Sequence, residues 1–201
     1  RLAETEDVLV VSDAGMPTIS DPGFVLVRAA VNAGIPVTVI PGPSAVISAL
    51  AVSGLPTDRF SFEGFIPRKS GEREKFFMAL ANETRTMIFF ESAHRIGESL
   101  QSAAAILGPR QASVSRELTK KFEETVRGTL PELADWATVE PKGELVICIG
   151  GNTSEKAVDL SELIELVEAL RTSGNSLKDA VAKVAELAGV SKSELYDQTI
   201  A

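Results

Sequence analysis

A loop rich in turn-forming residues lies between two apolar segments near the beginning of the sequence. Residues 12–23 hold two glycines, two prolines and two aspartates. The run 8–11 before them is typical of a buried strand, and the stretch 24–31 after them of an amphipathic helix. In open α/β sheets, ligands bind at the corner where a strand ends and a helix begins. Gly15 would allow a close backbone approach there, although an Asp-Pro-Gly turn without a ligand has the same composition.

Strand-like and helix-like segments alternate through most of the sequence, which predicts an α/β fold with a parallel sheet. The first region, residues 1–58, has predicted strands at 8–11 and 36–40 and predicted helices at 22–33 and 43–53. The second region, residues 59–151, has predicted strands at 61–65, 86–91, 112–116 and 144–150, and predicted helices at 70–82, 94–107 and 130–138. Residues 126–129 are typical of a strand or a turn. Two α/β domains follow from this pattern.

The third region, residues 158–201, has the pattern of helices only. Apolar residues recur at helical spacing in three segments, which are separated by breaks at 173–175 and 188–190. Ser191 is predicted to be the N-cap of the last helix. Helices joined by tight turns at this spacing resemble a helix-turn-helix unit, and many other three-helix arrangements share the pattern. The acidic excess of this region disfavours generic DNA binding.

The composition restricts the class of protein. Apolar residues make up 44% and charged residues 24%, as in ordinary soluble domains, and no apolar run is long enough for a membrane span. Cys148 and His94 are the single cysteine and the single histidine, so a typical zinc site cannot be built and no metal is expected. A lone cysteine inside a strand indicates a reducing, cytoplasmic setting.

The charge of the chain argues against nonspecific polyanion binding, because the formal net charge is −8. A local basic face can still bind RNA. Basic residues form two clusters, each interrupted by glutamates, and either cluster can instead be a solvated surface. The clusters are Arg68, Lys69, Arg73 and Lys75, and Arg116, Lys120 and Lys121.

Polar side chains follow the predicted strand 86–91. His94 would serve as a general base for a hydroxyl, although a lone histidine is more often structural. Glu91 and Ser92 lie at the same corner and would orient a substrate or cofactor, and Arg95 would bind a phosphate with two donors.

A second charged group follows the predicted strand 112–116. It consists of Glu117, Lys120 and Glu124. A Lys–Glu pair in this position would assist a hydroxyl nucleophile, or it is an ordinary surface ion pair.

Six motifs, in this order and across roughly residues 8–150, resemble those of one family. That family is the ribosomal RNA small subunit methyltransferase I group, within the tetrapyrrole methylase-like (class III) S-adenosylmethionine-dependent methyltransferases. The motifs are residues 12–23, 41–45, 63–69, 90–95, 116–120 and 142–147. The resemblance implies two α/β domains of the tetrapyrrole methylase type and a homodimer. Family members carry an upstream strand and Gly-rich loop, so we expect the first domain to be truncated here and cofactor binding to be weak.

The resemblance also implies the activity and the residues that perform it. The expected reaction is methylation of the ribose 2′-hydroxyl of a cytidine in 16S ribosomal RNA. The implied contacts to S-adenosylmethionine are Asp13, Ala14, Gly15, Pro17, Pro43, Ser44, Ala45, Gly143, Glu144 and Leu145. The catalytic candidates are Glu91, His94 and Lys120, and the candidates for RNA contact are Arg68, Lys69, Arg95, Lys120 and Lys121.

Two other functions remain open at this point. One is methylation of a tetrapyrrole or corrin precursor on the same fold, and the other is RNA binding without catalysis. The basic pair Arg68 and Lys69 and the helical third region favour RNA as the substrate.

Overall fold

A computed structural model describes residues 6–13, 15–139, 141–153, 160–188 and 190–200. They form two compact units, residues 1–152 and residues 153–201. The strands of the first unit are β1 (Phe60–Phe65), β2 (Thr86–Ser92), β3 (Gln111–Arg116), β4 (Glu124–Thr129) and β5 (Glu144–Ile149). Its helices are α1 (Phe24–Asn32), α2 (Ala45–Ser53), α3 (Ser70–Ala79), α4 (Ile96–Leu107) and α5 (Leu130–Trp136).

The five strands form one mixed sheet in the order β1-β2-β5-β3-β4. β1 and β2 are parallel, and the other neighbouring pairs are antiparallel. In the registers of β5, Ser92 lies opposite Glu144 and Arg116 opposite Leu145. The carboxyl ends of β1, β2 and β3 and the amino end of β5 therefore meet at one edge of the sheet.

Both faces of the sheet are covered, and the side chains of the central strands alternate between them. Met87 and Phe89 of β2 belong to the apolar core that includes side chains of α3, α4 and α5. Ile88 of the same strand and Cys148 of β5 belong to a second core that includes side chains of α2. The predicted strands and helices of residues 59–151 are confirmed, and residues 126–129 form a strand. The predicted parallel sheet is wrong, because three of the four neighbouring pairs are antiparallel. The seven residues between β3 and β4, for example, are too few for the crossover that a parallel pair needs.

The two strands predicted in the first region are wrong. Residues 8–11 and 36–40 form no strand, and Leu9 and Ile40 are 79% and 80% exposed. Apolar, β-branched residues favour a strand by packing on a neighbouring surface, and here they have neither a hydrogen-bonded neighbour nor a covering layer within the described residues. Helices α1 and α2 were predicted correctly. The boundary near residue 58 stays a prediction.

The single cysteine lies in the middle of the sheet. Burial raises the pKa of the Cys148 thiol to about 12, and Ser113 lies opposite it on β3. A thiol with so high a pKa is protonated and unreactive at neutral pH.

The second unit contains three described helices: α6 (Leu160–Thr172), α7 (Leu177–Ala188) and α8 (Lys192–Ile200). Their apolar core includes Val167, Val184 and Leu195. Ser191 caps α8 as predicted, because its Oγ accepts a hydrogen bond from the Glu194 backbone N–H at 3.4 Å. The predicted start of this region at residue 158 lies outside the described residues. None of the described helices is long and apolar enough to cross a membrane.

Candidate functional site

A cavity of about 490 Å³ opens at the carboxyl ends of β1 and β2. Two adjacent parallel strands end here side by side, which places the residues that follow them around a common space. The lining residues are Phe65, Ile66, Pro67, Arg68, Glu91, Ser92, His94 and Arg95. Four predicted site residues, Arg68, Glu91, His94 and Arg95, are thus brought together.

Glu91 is fully buried at the base of this cavity, and both of its oxygens are engaged. Oε1 accepts hydrogen bonds from the Ser92 backbone N–H at 2.7 Å and from Arg95 Nε at 2.9 Å. Oε2 accepts one from the Ser99 hydroxyl at 2.6 Å. Because both oxygens already accept hydrogen bonds from protein donors, the Glu91 side chain is fixed within the fold and is fully engaged there.

Arg95 connects the segments that follow the two strands. Its Nη2 donates to the Ile66 carbonyl at 3.0 Å and is also ion-paired with Glu91. Its side chain is only 15% exposed, and its buried Nη1 has no hydrogen-bond partner among the described residues. A buried donor without a partner is costly, and an anion in the cavity would satisfy it.

His94 and Arg68 are the exposed polar side chains of this cavity. The imidazole of His94 and the guanidinium of Arg68 form no hydrogen bond with the described residues, which leaves both groups available to a ligand. Arg68 is anchored through its backbone, because its carbonyl accepts from Arg73 Nη1 at 3.3 Å.

The other residues of the first basic cluster are engaged elsewhere. Arg73 is buried and also contacts Ser102 and Glu98, so its role is structural. Lys69 forms an exposed ion pair with Glu72 at 3.0 Å.

A second charged group lies at the same edge of the sheet. Lys120 Nζ is 3.1 Å from Glu117 Oε1 and 3.0 Å from Glu144 Oε2. Hydrogen bonds to the carboxylates of Glu144 and Glu117 raise the pKa of Lys120. The pKa of Glu117 is lowered, chiefly by the hydrogen bond that it accepts from the Glu144 backbone N–H and next by the one from Lys120. Lys120 therefore stays protonated at neutral pH and would act as a cation, not as a base. Glu124, expected in this group, pairs instead with Arg116.

Gly143 permits this arrangement by its lack of a side chain. Its φ is +102°, and a Cβ built on it would lie 2.5 Å from Glu117 Cγ. Glu117 also has a positive φ of 49°, which aims its carboxylate at the start of β5. Loop and strand are thus locked together by a contact that only glycine allows.

Two of the three predicted cofactor stretches contact each other. A methyl group on Gly42 would lie 3.5 Å from the Met16 sulfur, so the loops 13–17 and 41–45 are neighbours. The backbone N–H groups of Asp13 and Gly15 form no hydrogen bond with the described residues, and the N-terminus of α2 has no side-chain cap. Ala14 lies outside the described residues. These free donors suit a ligand that carries carboxylate and hydroxyl oxygens.

The remaining predicted residues are less closely grouped. Pro17 and Pro43 belong to the two neighbouring loops, whereas the third stretch, Gly143 to Leu145, adjoins Glu117 and Lys120. Lys121 places its ammonium 5.6 Å from the ring centre of Phe122. A single cleft that includes all three cofactor stretches stays a prediction.

Sequence reasoning did not identify Ser99 as a partner of Glu91, nor the pairing of Glu91 with Arg95. The spacing of Glu91 and Arg95, i and i+4, was the available signal for their ion pair.

The sequence matches known proteins over nearly its full length. Residues 1–134 match the family model described as Tetrapyrrole (Corrin/Porphyrin) Methylases. The chain is 48% identical over 195 residues to "Ribosomal RNA small subunit methyltransferase I" of Mycobacterium tuberculosis (strain CDC 1551 / Oshkosh), covering 96% of this chain and 68% of that protein. It is 42% identical to the protein of the same name from Escherichia coli O157:H7, covering 98% of this chain and 70% of the relative.

A known structure has the same fold. The crystal structure of the methyltransferase CobJ superimposes with a TM-score of 0.56 at 21% identity, covering 75% of this chain and 67% of CobJ. At this identity the likeness establishes the tetrapyrrole methylase fold alone.

Proposed function

We propose that this chain, which belongs to the ribosomal RNA small subunit methyltransferase I family of the tetrapyrrole methylases, methylates a ribose 2′-hydroxyl of a cytidine in 16S ribosomal RNA with S-adenosylmethionine. The observation that carries the proposal is the cavity at the ends of β1 and β2. It combines a free imidazole, two guanidinium groups and a buried carboxylate that neutralises one of them.

Anion binding is the first task that we assign to this cavity. Arg68 and the unpartnered Nη1 of Arg95 supply donors for a phosphate of the RNA backbone. Glu91 is a positioning residue: it fixes the guanidinium of Arg95 and does not touch the substrate. The phosphate contacts would hold a neighbouring ribose at the mouth of the cavity.

Proton removal is the second task, and we assign it to His94. Its imidazole lies on the same cavity wall, is exposed and has no hydrogen-bond partner among the described residues. It would accept the proton of the 2′-hydroxyl as the oxygen bonds to the methyl carbon and the bond between that carbon and the sulfonium sulfur breaks, which would leave a neutral thioether. Lys120, which stays protonated, is assigned to RNA binding with Lys121 and Lys69.

The two neighbouring loops fit the cofactor. Asp13, Gly15 and the uncapped N-terminus of α2 offer donors to its amino-acid and ribose ends. When bound, S-adenosylmethionine supplies an electrophilic methyl group. The loops would hold it in line with the hydroxyl, and alignment of this kind supplies much of the rate enhancement in a displacement.

The proposal includes a homodimer that acts in the cytoplasm. The buried single thiol supports a reducing setting. Exposed apolar side chains in residues 6–43, such as Leu9 and Ile40, support a second copy as the partner. The two-domain organisation, with the cofactor between residues 1–58 and 59–151, is part of the same proposal.

The test is methyl transfer from labelled S-adenosylmethionine to small ribosomal subunits, with the modified nucleoside identified by mass spectrometry. We expect 2′-O-methylcytidine from the wild-type chain. His94→Ala should lower the rate at saturating cofactor and RNA by about 10²–10⁴-fold and leave cofactor binding unchanged. Arg68→Ala should raise the KM for the subunit.

Lys75→Ala is the matched control, because Lys75 is an exposed basic residue of the same cluster and does not line the cavity. It should leave the rate and the KM unchanged. A wild-type rate in His94→Ala would remove the histidine from catalysis. Absence of methyl transfer to any RNA by the wild-type chain would overturn the proposed function.

A further inference from the structure

The helical second unit has a cavity of its own. It encloses about 440 Å³ between the first halves of α7 and α8. Its lining residues are Lys178, Val181, Ala182, Lys192, Ser193, Tyr196 and Asp197. We propose that this cavity binds one nucleotide of single-stranded RNA, with the phosphate between the two lysines and the base against Tyr196. The choice of RNA rests on the proposed function.

The distribution of positive charge in this unit singles out the cavity. Residues 160–200 contain four basic side chains. Arg171 pairs with Glu168 at 2.9 Å, and Lys183 donates to Asn175 Oδ1 at 2.8 Å. Lys178 and Lys192 have neither an ion pair nor a hydrogen bond with the described residues, and both line the cavity. Within residues 160–200, the basic side chains that have no ion pair or hydrogen bond with the described residues therefore both lie at this cavity.

Helix stability does not account for the positions of these lysines. Lys178 is the second residue of α7 and Lys192 the first of α8. A cation in the first turn of a helix is disfavoured by the helix dipole. The two lysines thus weaken their own helices slightly, and a bound anion would remove that cost.

The aromatic side chain gives the cavity a surface for a base. Tyr196 is the only aromatic residue within 160–200, lies one turn after Lys192 and is 39% exposed. Val181 and Ala182 provide apolar surface beside it. Unpaired RNA bases stack on aromatic rings of this kind, whereas a base inside a duplex is not accessible.

The acidic residues restrict the kind of ligand. Residues 160–200 carry seven acidic side chains, so the unit has no broad attraction for a polyanion. Asp197, which also lines the cavity, would repel a phosphate placed next to it and can accept hydrogen bonds from a base or a 2′-hydroxyl. The arrangement favours a single nucleotide over a long stretch of backbone.

The experiment measures binding of a fluorescein-labelled single-stranded RNA to the full chain by anisotropy, without cofactor and at several salt concentrations. The double variant Lys178→Ala, Lys192→Ala should weaken binding and reduce the slope of log affinity against log salt concentration by about 0.7, the value for one phosphate contact on a single strand. Tyr196→Ala should weaken binding about fivefold or more, and Tyr196→Phe, which keeps the ring, should not.

Lys183→Ala is the matched control: it removes an exposed lysine from α7 outside the cavity and should leave the affinity and the salt slope unchanged. Equal affinities for the double variant and the wild-type chain would overturn the proposal. Equal losses with Lys183→Ala, or competition by an acidic peptide as strong as that by RNA, would do so too.

The outcome is independent of methyl transfer. RNA binding that depends on Lys178 and Lys192 in a chain without transferase activity would support this site and contradict the proposed function. If the double variant methylates RNA fully, with unchanged affinity and KM, the result would support the proposed function and contradict this site.

Discussion

Residues 6–43 and the sheet of the first unit contain similar apolar runs, yet only the sheet residues are buried. Phe89 and Ile147 lie in central strands and are covered by helices. Leu9 and Ile40 are exposed, and α1 has no buried residue. A β-branched run therefore gains its stability as a strand from its neighbours, and the sequence motif carries no such stability alone.

The two regions also differ in how they satisfy polar groups. At the edge of the sheet, side-chain hydrogen bonds join Glu91 to Arg95 and, separately, Glu117 to Lys120. In residues 6–43 the unpaired groups are backbone donors of loops. The first arrangement is fixed by contacts within the fold, whereas the loop donors of the second have no such contact among the described residues.

The largest expected difference between the regions concerns apolar burial. Phe89→Ala should lower the free energy of unfolding by about 3–5 kcal/mol, because it leaves a cavity in the core. Phe24→Ala should cost only about 0.5–1 kcal/mol, since this ring is 60% exposed and the guanidinium of Arg28 lies over its face. Urea unfolding followed by the fluorescence of Trp136 measures both. An equal loss for Phe24→Ala would show that residues 6–43 are covered by a partner.

A smaller difference is expected for glycines with positive φ. Gly143→Ala should cost about 1–3 kcal/mol, because the new Cβ displaces Glu117. Gly15→Ala meets no atom within 4 Å and should cost about 1 kcal/mol from its φ of 72° alone. The same unfolding experiment compares them. Glu117→Ala removes the atoms that this Cβ would meet, so the cost of Gly143→Ala should fall in that background, and an unchanged cost would contradict the explanation.

The smallest effect concerns charge pairing in the packed region. Glu83 accepts hydrogen bonds from Arg85, and these lower its pKa from 4.5 to about 2. The bond from the Arg85 side chain has the larger effect, and the bond from the Arg85 backbone N–H the next. Because the folded pKa is the lower one, this stabilisation is complete above pH about 4.5 and is lost as the pH falls through about 2. Glu83→Gln should therefore destabilise the chain more at pH 7 than at about pH 3. A loss that is the same at both pH values would contradict the assignment.

The predictability of the fold follows the same division. Strands β2 and β5 were predictable because their apolar runs are buried on both faces, and α4 because its apolar residues repeat at helical spacing. β4 was ambiguous because a polar edge strand has a pattern close to that of a turn. The prediction of strands in residues 6–43 was wrong because a short stretch of sequence does not show whether a neighbouring strand is present to pair with it.

The site was predictable in its members but not in their roles. Glu91 lies at the end of a strand and His94 just after it, which placed both at a ligand-binding corner. Glu91 is assigned a positioning role because it is buried and accepts hydrogen bonds from Ser92, Arg95 and Ser99. A local sequence pattern does not show that a residue is buried. The contact of Gly143 with Glu117 joins residues 26 positions apart, which is beyond any local signal.

The buried thiol of Cys148 can be used to detect local unfolding of the central sheet. A maleimide or disulfide reagent can react with this protein only when β5 separates from the layers that cover it, since this is the one sulfhydryl group present. The rate of labelling in native buffer therefore counts opening events of the central sheet. Conversely, a cysteine introduced at an exposed position would be the single site for attaching a fluorophore or a spin label, without prior removal of the native one.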